Sequence, residues 1–356
     1  MKIANILLST QNGGVEQSFV GYCKILNNLG YEVLAIVGKN APYIRDLQGL
    51  NIKVVQVKNS LGYYDFIAIS KIKKSLEEFG TKLAFAHTGR AIVLAKKAIK
   101  KLSQRIPLIA VNHSKNVKRS IGADIVFSVN KEIFYKTVDL GQAEDRSFVI
   151  PNFIDVPENQ QQEFNLDNFI LDKSRPIVIG TIARLSPEKN LDFLISAIKI
   201  LRDKNYQIKL KIAGSGDEEQ NLKMLCHSFG LESEVDFLGW VDDKKSFFEK
   251  IDIFCLPSRE ETFGIALLEA MLYNKPIITT NTDGAKMILK NKVSGILLDN
   301  SKPELLADLI ACAVLNFLNS PEVIFDLTTN AKRDLIKFYS TKAVENNLKD
   351  LLKKFK

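Results

Sequence analysis

The chain has 356 residues, 46% of them hydrophobic and 25% charged, with a formal net charge of +8. That length exceeds one ordinary core and suits two soluble globular domains of about 150 to 200 residues each. Four scattered cysteines form no Cys-x-x-Cys pair and three histidines lack metal-ligand spacing, which excludes a disulfide framework, points away from a dedicated metal site and fits a reducing cytosol.

Short β-branched runs alternate with amphipathic helical patterns along the whole chain, the signature of an α/β protein. Met1 to Ser9 is too short and too interrupted, by Asn5, for a secretory leader, and Ile3–Leu8 reads as the first strand. A helix over Val15–Leu29 ends at Gly30, and strands follow at Tyr31–Val37, Lys53–Val57, Leu83–Ala86, Leu108–Val111 and Asp124–Val129. The polar segment Glu158–Asp167 marks a boundary between domains. Strands resume at Pro176–Thr181, Leu210–Ala213, Val235–Leu238, Ile253–Leu256 and Pro276–Thr280. Leu305–Leu318 is the longest apolar stretch, falls short of the roughly 20 residues that span a bilayer, and reads as a core-packing helix. The last segment, Asp334–Lys356, reads as helix broken near Tyr339-Ser340-Thr341. The expected fold is α/β, two facing doubly wound domains with their ligand at the carboxyl ends of the strands.

Charge divides unevenly. Through Ile150, 22 Lys and Arg stand against 11 Asp and Glu, whereas the remainder has 27 against 30. Clusters lie at Lys71-Lys73-Lys74, at Lys96-Lys97-Lys100-Lys101 on one amphipathic helix, and at Lys115-Lys118-Arg119. Such a half fits an anionic membrane surface or acceptor, and fits equally a solvated lysine-rich face. Nucleic acid is not expected, because no aromatic-and-basic platform or docking motif accompanies the lysines.

The densest chemistry lies in Ser258 to Met271, where Glu261 and Glu269 are separated by seven residues. Glu261 precedes a Thr262-Phe263-Gly264 turn, and Glu269 lies on the largely apolar helix after it. A carboxylate on such a face needs a partner, and a helix N-terminus favours phosphate. The pair suits a nucleotide-sugar, and also suits a capping Glu plus an internal salt bridge. Arg184 and Lys189 sit in the turn after a strand, where two cations can hold a diphosphate, or where one is exposed and one salt-bridged. Gly214 ends another strand, and Val241 follows one that can border a base. Gly13 and Gly14 follow the first strand and open a helix, where glycine permits φ > 0 and close backbone approach. His113 stands just beyond a strand, placed either to bond a sugar hydroxyl or as an ordinary satisfied residue. His87 is a weaker candidate of the same kind, and His227 on a helix reads as structural.

Together these blocks resemble glycosyltransferase family 4, the retaining nucleotide-sugar transferases of GT-B fold, over nearly the whole chain and most strongly from Ile150 to Asp299. The resemblance implies two Rossmann-like domains, an acceptor-binding one over residues 1–155 and a donor-binding one over 156–335, with a C-terminal crossover helix, 336–356, that returns to the first. It implies that Arg184 and Lys189 hold the donor diphosphate, Glu269 the ribose hydroxyls and Glu261 the transferred sugar, with Thr262, Phe263, Gly264, Gly214 and Val241 around the donor. His113 matches the histidine beside the sugar, and Gly13 and Gly14 match the glycine loop near the phosphates and acceptor. Phe153, Asn274, Asp283 and Met287 depart from the pattern, which has Gly, Gly, Gly and Glu there; Asn tolerates left-handed backbone nearly as well as Gly. The implied activity is metal-independent transfer of a hexose-type sugar from a UDP- or GDP-linked donor to a glycan or glycolipid hydroxyl, with no separate cofactor. The setting it suggests is cell-envelope lipopolysaccharide or polysaccharide synthesis on the cytoplasmic side, peripheral to the membrane. A nucleotide-sugar epimerase of related fold and a non-catalytic nucleotide-sugar-binding protein are the other readings.

Overall fold

The computed structural model describes residues 1–158, 171 and 174–353. Most of the expected polar boundary, Glu158–Asp167, therefore lies outside the described residues. Two units emerge from the chain's own contacts, Met1–Asp155 with Tyr339–Lys356, and Val156–Phe338.

The first unit follows the order β1 (Lys2–Leu7), α1 (Gly14–Asn28), β2 (Glu32–Gly38), β3 (Ile52–Val57), α2 (Phe66–Phe79), β4 (Leu83–His87), α3 (Thr88–Ile99), β5 (Leu108–Asn112), β6 (Ile125–Ser128), α4 (Lys131–Asp139) and β7 (Ser147–Val149). Its seven strands are parallel in the order β3-β2-β1-β4-β5-β6-β7. A parallel sheet with helices on both faces must be apolar on both, and β1 divides accordingly. Ile3 and Leu7 pack with Phe19, Tyr22 and Ile25 of α1, whereas Ala4 and Ile6 pack with Ile69, Ile72, Ala91 and Ala95 of α2 and α3. Asn5 is the one buried polar side chain in that strand, and it lies on the α1 face.

The second unit contains β8 (Ile177–Ile182), α5 (Leu191–Asp203), β9 (Ile208–Ala213), α6 (Glu219–Phe229), β10 (Val235–Gly239), α7 (Lys244–Glu249), β11 (Ile253–Leu256), α8 (Ile265–Leu272), β12 (Ile277–Thr280), α9 (Asp283–Ile288), β13 (Ile296–Leu298), α10 (Leu306–Asn319) and α11 (Pro321–Asp334). Its six parallel strands run β10-β9-β8-β11-β12-β13. Asp252 pins the two central strands together by accepting the Val178 N–H at 2.8 Å and pairing with Arg175 at 2.7 Å. The stretch expected to be a core helix is α10, whose Leu306, Ile310, Val314 and Phe317 are buried against α5 and the sheet. Among the described residues no single helix is long and apolar enough to cross a membrane.

The break expected near Tyr339 is a π-turn, Leu335–Tyr339, after which α12 (Thr341–Leu352) begins with Ser340 as its cap. Ile154 donates to the Tyr339 carbonyl and accepts from the Thr341 N–H, and Val344, Leu348 and Leu352 bury one helical stripe in the first unit's core. The returning C-terminal helix is thus present, and so are the two Rossmann-like sheets. Phe153, in the usual place of a glycine, fills space left by Gly21, where a Cβ would stand 2.7 Å from its ring. Asn274 adopts φ 56°, the left-handed backbone that its position was expected to require.

Two glycines of the second unit are dictated by close approach. A Cβ on Gly214, at φ 134°, would fall 1.8 Å from the Ala183 carbonyl oxygen, and one on Gly284 would fall 2.6–2.7 Å from backbone atoms of Glu261 and Phe263. Gly230 has left-handed backbone too, φ 61°, but meets only the Arg202 side chain at 3.9 Å. Trp240, the sole tryptophan, lies in this unit and reports its unfolding in urea. Gly230→Ala should cost about 1 kcal/mol, and Gly214→Ala and Gly284→Ala about 3 kcal/mol or more. Equal losses at all three positions would contradict the close-approach reading.

Candidate functional site

In a doubly wound sheet the strand order reverses at one point, and the loops leaving the strands there diverge to open a crevice at their carboxyl ends. In the second unit that point lies between β8 and β11. The loop after β8 is tied down along its length. Ala183 donates to the Ala213 carbonyl at 3.0 Å, Leu185 donates to the Ser215 carbonyl at 2.9 Å, and Glu218 donates to the Leu185 carbonyl at 3.0 Å. Leu185 is buried, which leaves Arg184 exposed between two anchored residues. Gly214 therefore serves this loop by lying directly beneath Ala183.

Pro187 to Lys189 form a single 3-10 turn, and Asn190, at φ 51°, carries the chain into α5. Ser186 donates its hydroxyl to Glu188 at 2.7 Å. That bond, then the residue's own N–H, hold the Glu188 carboxyl below the usual range, with smaller help from Lys189 and Arg184. Across the switch point, the Arg259 N–H donates to the Glu188 carbonyl at 2.8 Å. Lys189 reaches the same loop and pairs with Glu261 at 2.7 Å, their side chains only 16% and 18% exposed. The β11 exit is itself held by β12, since Thr279 and Thr280 donate their hydroxyls to the Leu256 and Ser258 carbonyls. Gly284 donates its N–H to the Glu261 carbonyl at 2.9 Å.

Gly264, at φ 94°, caps α8, and no side chain caps that helix. Phe263 is buried and Thr262 half-buried in the turn before it. Glu269, on α8, is 9% exposed, and Lys244 at the start of α7 stands 3.8 Å from it. The partner that a buried Glu269 required is thus supplied at least in part by the protein. Lys244 also lies 5.8 Å from the centre of the Trp240 ring, beside half-buried Val241. Asp283 pairs with Lys286 at 3.3 Å on α9, a neighbour that offsets its charge. The loops at this switch point therefore bring Lys189 and Glu261 together, with Arg184 exposed on the same loop as Lys189 and near enough to Glu188 to lower its pKa. Ser186, Thr279 and Thr280 brace these loops and Lys244 partners Glu269, none of them having carried a sequence signal.

The first unit reverses between β1 and β4. Gly13 and Gly14 lie after β1 as expected, and neither uses the positive φ that glycine permits. Gly13 is extended, at φ −167°, and Gly14 is simply the first residue of α1. A Cβ on Gly13 would meet only a Glu16 carboxylate oxygen, at 3.3 Å. His87, ranked the weaker histidine, ends β4 and is fully buried, its Nδ1 lying 2.9 Å from His113 Nε2. Its other nitrogen, Nε2, lies 2.9 Å from Asn5 Oδ1. Burial pushes His113 down to about 4, with the Asn152 side chain opposing, and burial first and then His113 push His87 well below the usual imidazole range. Both rings are neutral at physiological pH. His227 is exposed on α6 and pairs with Glu232, away from either switch point.

The basic clusters resolve into tied and free lysines. The helix expected to carry four of them ends at Ile99, so Lys100 and Lys101 lie in the following turn. Lys96 donates to the Arg119, Ser120 and Ile121 carbonyls, and Lys97 donates to the Tyr63 carbonyl at 2.8 Å. Lys115 pairs with Glu132 at 2.8 Å. Beside them Leu61, Tyr64, Phe66 and Ile67 are all more than half exposed, Ile67 reaching 76%. Asp65 keeps them presented, because its buried carboxylate accepts the N–H groups of Ser60, Leu61 and Ala68. Among the described residues no cluster of three His, Cys, Asp or Glu side chains is placed to hold a metal ion.

Comparison with known proteins agrees with this architecture. The profile of the family described as "Glycosyl transferases group 1" matches residues 163–353. An uncharacterized glycosyltransferase of Haemophilus influenzae is 26% identical over 90% of this chain and 91% of its own length. The lipopolysaccharide core biosynthesis glycosyltransferase LpsE of Rhizobium meliloti is 24% identical over 81% of this chain and 82% of its own. The crystal structure of Anabaena HepE in complex with UDP-glucose superposes with a TM-score of 0.83 at 20% identity, covering 99% of this chain and all of that one. A family match over more than half of the sequence, on two parallel Rossmann-like sheets, establishes that this chain belongs to the glycosyl transferases group 1, the retaining glycosyltransferases of GT-B fold.

Proposed function

We propose that the protein moves a hexose-type sugar from a UDP- or GDP-linked donor to a hydroxyl of a glycan or glycolipid in cell-envelope lipopolysaccharide or polysaccharide synthesis. The observation that carries this reading is the Lys189–Glu261 pair, which joins the two loops of the second unit's switch point. Arg184 and Lys189 bind the donor diphosphate there and offset the negative charge that grows on it as the sugar leaves. The uncapped N-terminus of α8 adds backbone N–H groups to the same anion. Glu269 takes the ribose hydroxyls, with Gly214, Val241, Thr262, Phe263 and Gly264 around the nucleotide.

The pair also sets an order of events. Without donor, Lys189 is neutralised by Glu261. When a diphosphate takes the ammonium, the Glu261 carboxylate loses its partner and turns to the hydroxyls of the sugar. The acceptor hydroxyl then attacks on the face that the diphosphate leaves, with no enzymic nucleophile; in this reading His113 is the histidine that bonds the sugar, and Gly13 and Gly14 are the glycines of the acceptor side. That LpsE acts in lipopolysaccharide core synthesis and that HepE was crystallised with UDP-glucose support the substrate class.

The acceptor is carried by an anionic membrane, which the first unit meets through Leu61, Tyr64, Phe66 and Ile67 with Lys71 and Lys74 alongside. Exposed aromatic and aliphatic side chains next to lysines combine burial at the interface with attraction to anionic lipid. The protein is then cytoplasmic and peripheral to the membrane.

Incubation with a panel of UDP- and GDP-sugars and an extracted glycolipid fraction should release nucleoside diphosphate only when acceptor is present. Lys189→Ala and Arg184→Ala should each lower kcat by about 10²–10³, while Glu269→Ala mainly raises the donor KM. Variants within twofold of the parent would overturn the donor assignment. In sedimentation with vesicles, the protein should bind phosphatidylglycerol-rich membranes and not pure phosphatidylcholine, and a Phe66→Asp/Ile67→Asp double variant should lose that binding. Undiminished binding by the double variant would place the membrane contact elsewhere.

A further inference from the structure

A mid-strand asparagine, buried where every neighbour in β1 is apolar, has a consequence for the chemistry of His113. The Asn5 amide nitrogen lies 3.2 Å from the Phe19 carbonyl oxygen and 3.3 Å from Cys23 Sγ. A backbone carbonyl can only accept, so the amide must point its NH₂ that way and its oxygen toward His87. His87 Nε2, 2.9 Å from that oxygen, is therefore the N–H of its ring. A neutral imidazole carries one N–H, which leaves His87 Nδ1 as an acceptor. The atom 2.9 Å from it is His113 Nε2, which must then be the N–H of the second ring. The chain ends at His113 Nδ1, a bare lone pair that is buried and has no hydrogen-bond partner among the described residues.

We propose that Asn5 and His87 are positioning residues that hold His113 in its Nε2–H tautomer, so that its Nδ1 accepts a hydrogen bond from a sugar hydroxyl. The inference rests on the proposed placement of His113 beside the donor sugar, but the tautomer itself does not depend on any ligand. The opposite tautomer would set two lone pairs against each other at 2.9 Å, between His113 Nε2 and His87 Nδ1. Neighbouring rings restrict this arrangement. His87 meets Phe19 and Tyr22 edge-on with centroids 5.6 and 5.1 Å apart, and lies within 19° of parallel to His113. Burial keeps both rings uncharged, so protonation does not erase the difference between the two nitrogens. The backbone is constrained as well: Thr88, next to His87, is held at φ 69°, an unusual state for a β-branched residue. Asn152, itself buried, stands beside His113 without completing a hydrogen bond to Nδ1.

The chain has only three histidines, one of them exposed, so ¹⁵N-histidine labelling and long-range ¹H–¹⁵N correlation resolve each ring nitrogen. At pH 7, His87 and His113 should both show a protonated Nε2 and a bare Nδ1. A protonated Nδ1 on His113, or a doubly protonated ring, overturns the proposal without reference to any substrate. Asn5→Leu should populate the other His113 tautomer and lower kcat roughly tenfold with UDP affinity unchanged, and Asn5→Asp, which keeps an acceptor facing His87, should restore the parent tautomer. Addition of UDP-glucose should shift the His113 Nδ1 resonance where UDP alone does not. Parent tautomers in a protein that binds no nucleotide-sugar would leave the positioning role standing and overturn the transferase substrate reading instead; an Asn5→Leu variant with unchanged tautomers would remove Asn5 from that role.

Discussion

A single ion pair, Lys189 with Glu261, ties together the loops that leave the two central strands of the second unit. Both groups are mostly withdrawn from water, where an uncompensated charge of either sign would be strongly destabilising. Neither loop has this register by itself. The β8 loop is clasped by the glycine loop after β9, and the β11 loop is braced by the threonines of β12 and the Gly284 N–H. The sheet thus sets two rigid walls, and the pair spans the gap between them. A diphosphate entering there under the proposed function meets one cation already committed and one, Arg184, exposed. Under the proposed function that asymmetry is useful, because taking the Lys189 ammonium away from Glu261 is what delivers a carboxylate to the sugar.

The first unit solves a different problem at its own switch point. Among the described residues it carries no comparable ion pair there. Its polar groups form one neutral chain, Phe19 carbonyl to Asn5 to His87 to His113, buried under Tyr22 and Phe19. Neutral hydrogen-bond chains in a low-dielectric interior hold orientation without the desolvation cost of ions. One unit therefore offers charge, suited to an anion, and the other offers a directed lone pair, suited to a hydroxyl.

Strand-helix alternation made the architecture legible in the sequence, and the strands it marked differ from the observed ones mainly by a residue or two at the ends. The strands that escaped, Ser147–Val149 and Ile296–Leu298, have three residues each and are too short for a periodic pattern to register. The returning helix was legible because its break at Tyr339-Ser340-Thr341 interrupts an otherwise helical run. Glu261 and Lys189 were each recognisable by local context, yet their contact spans 72 positions and follows from strand order alone. Lys244 and the hydroxyls of Thr279 and Thr280 had no signal, since a lysine near a helix start and threonines in a strand are ordinary in sequence. Asn5 did carry one: a polar residue breaking an apolar strand, noticed only as an argument against a leader. The glycines after β1 offer a conformational freedom that Gly13 does not use, because position after a strand does not determine φ.

Calorimetric titration of UDP into the parent and into Glu261→Gln tests the central ion pair most directly. If Lys189 must leave Glu261 to hold the diphosphate, removing the competing carboxylate charge frees the ammonium, and UDP should bind several-fold tighter, by up to about 1 kcal/mol. At the same time, sugar transfer by the variant should fall. Weaker UDP binding by Glu261→Gln would mean that the pair orients Lys189 for the anion rather than withholding it, and the exchange at the heart of the mechanism would be wrong.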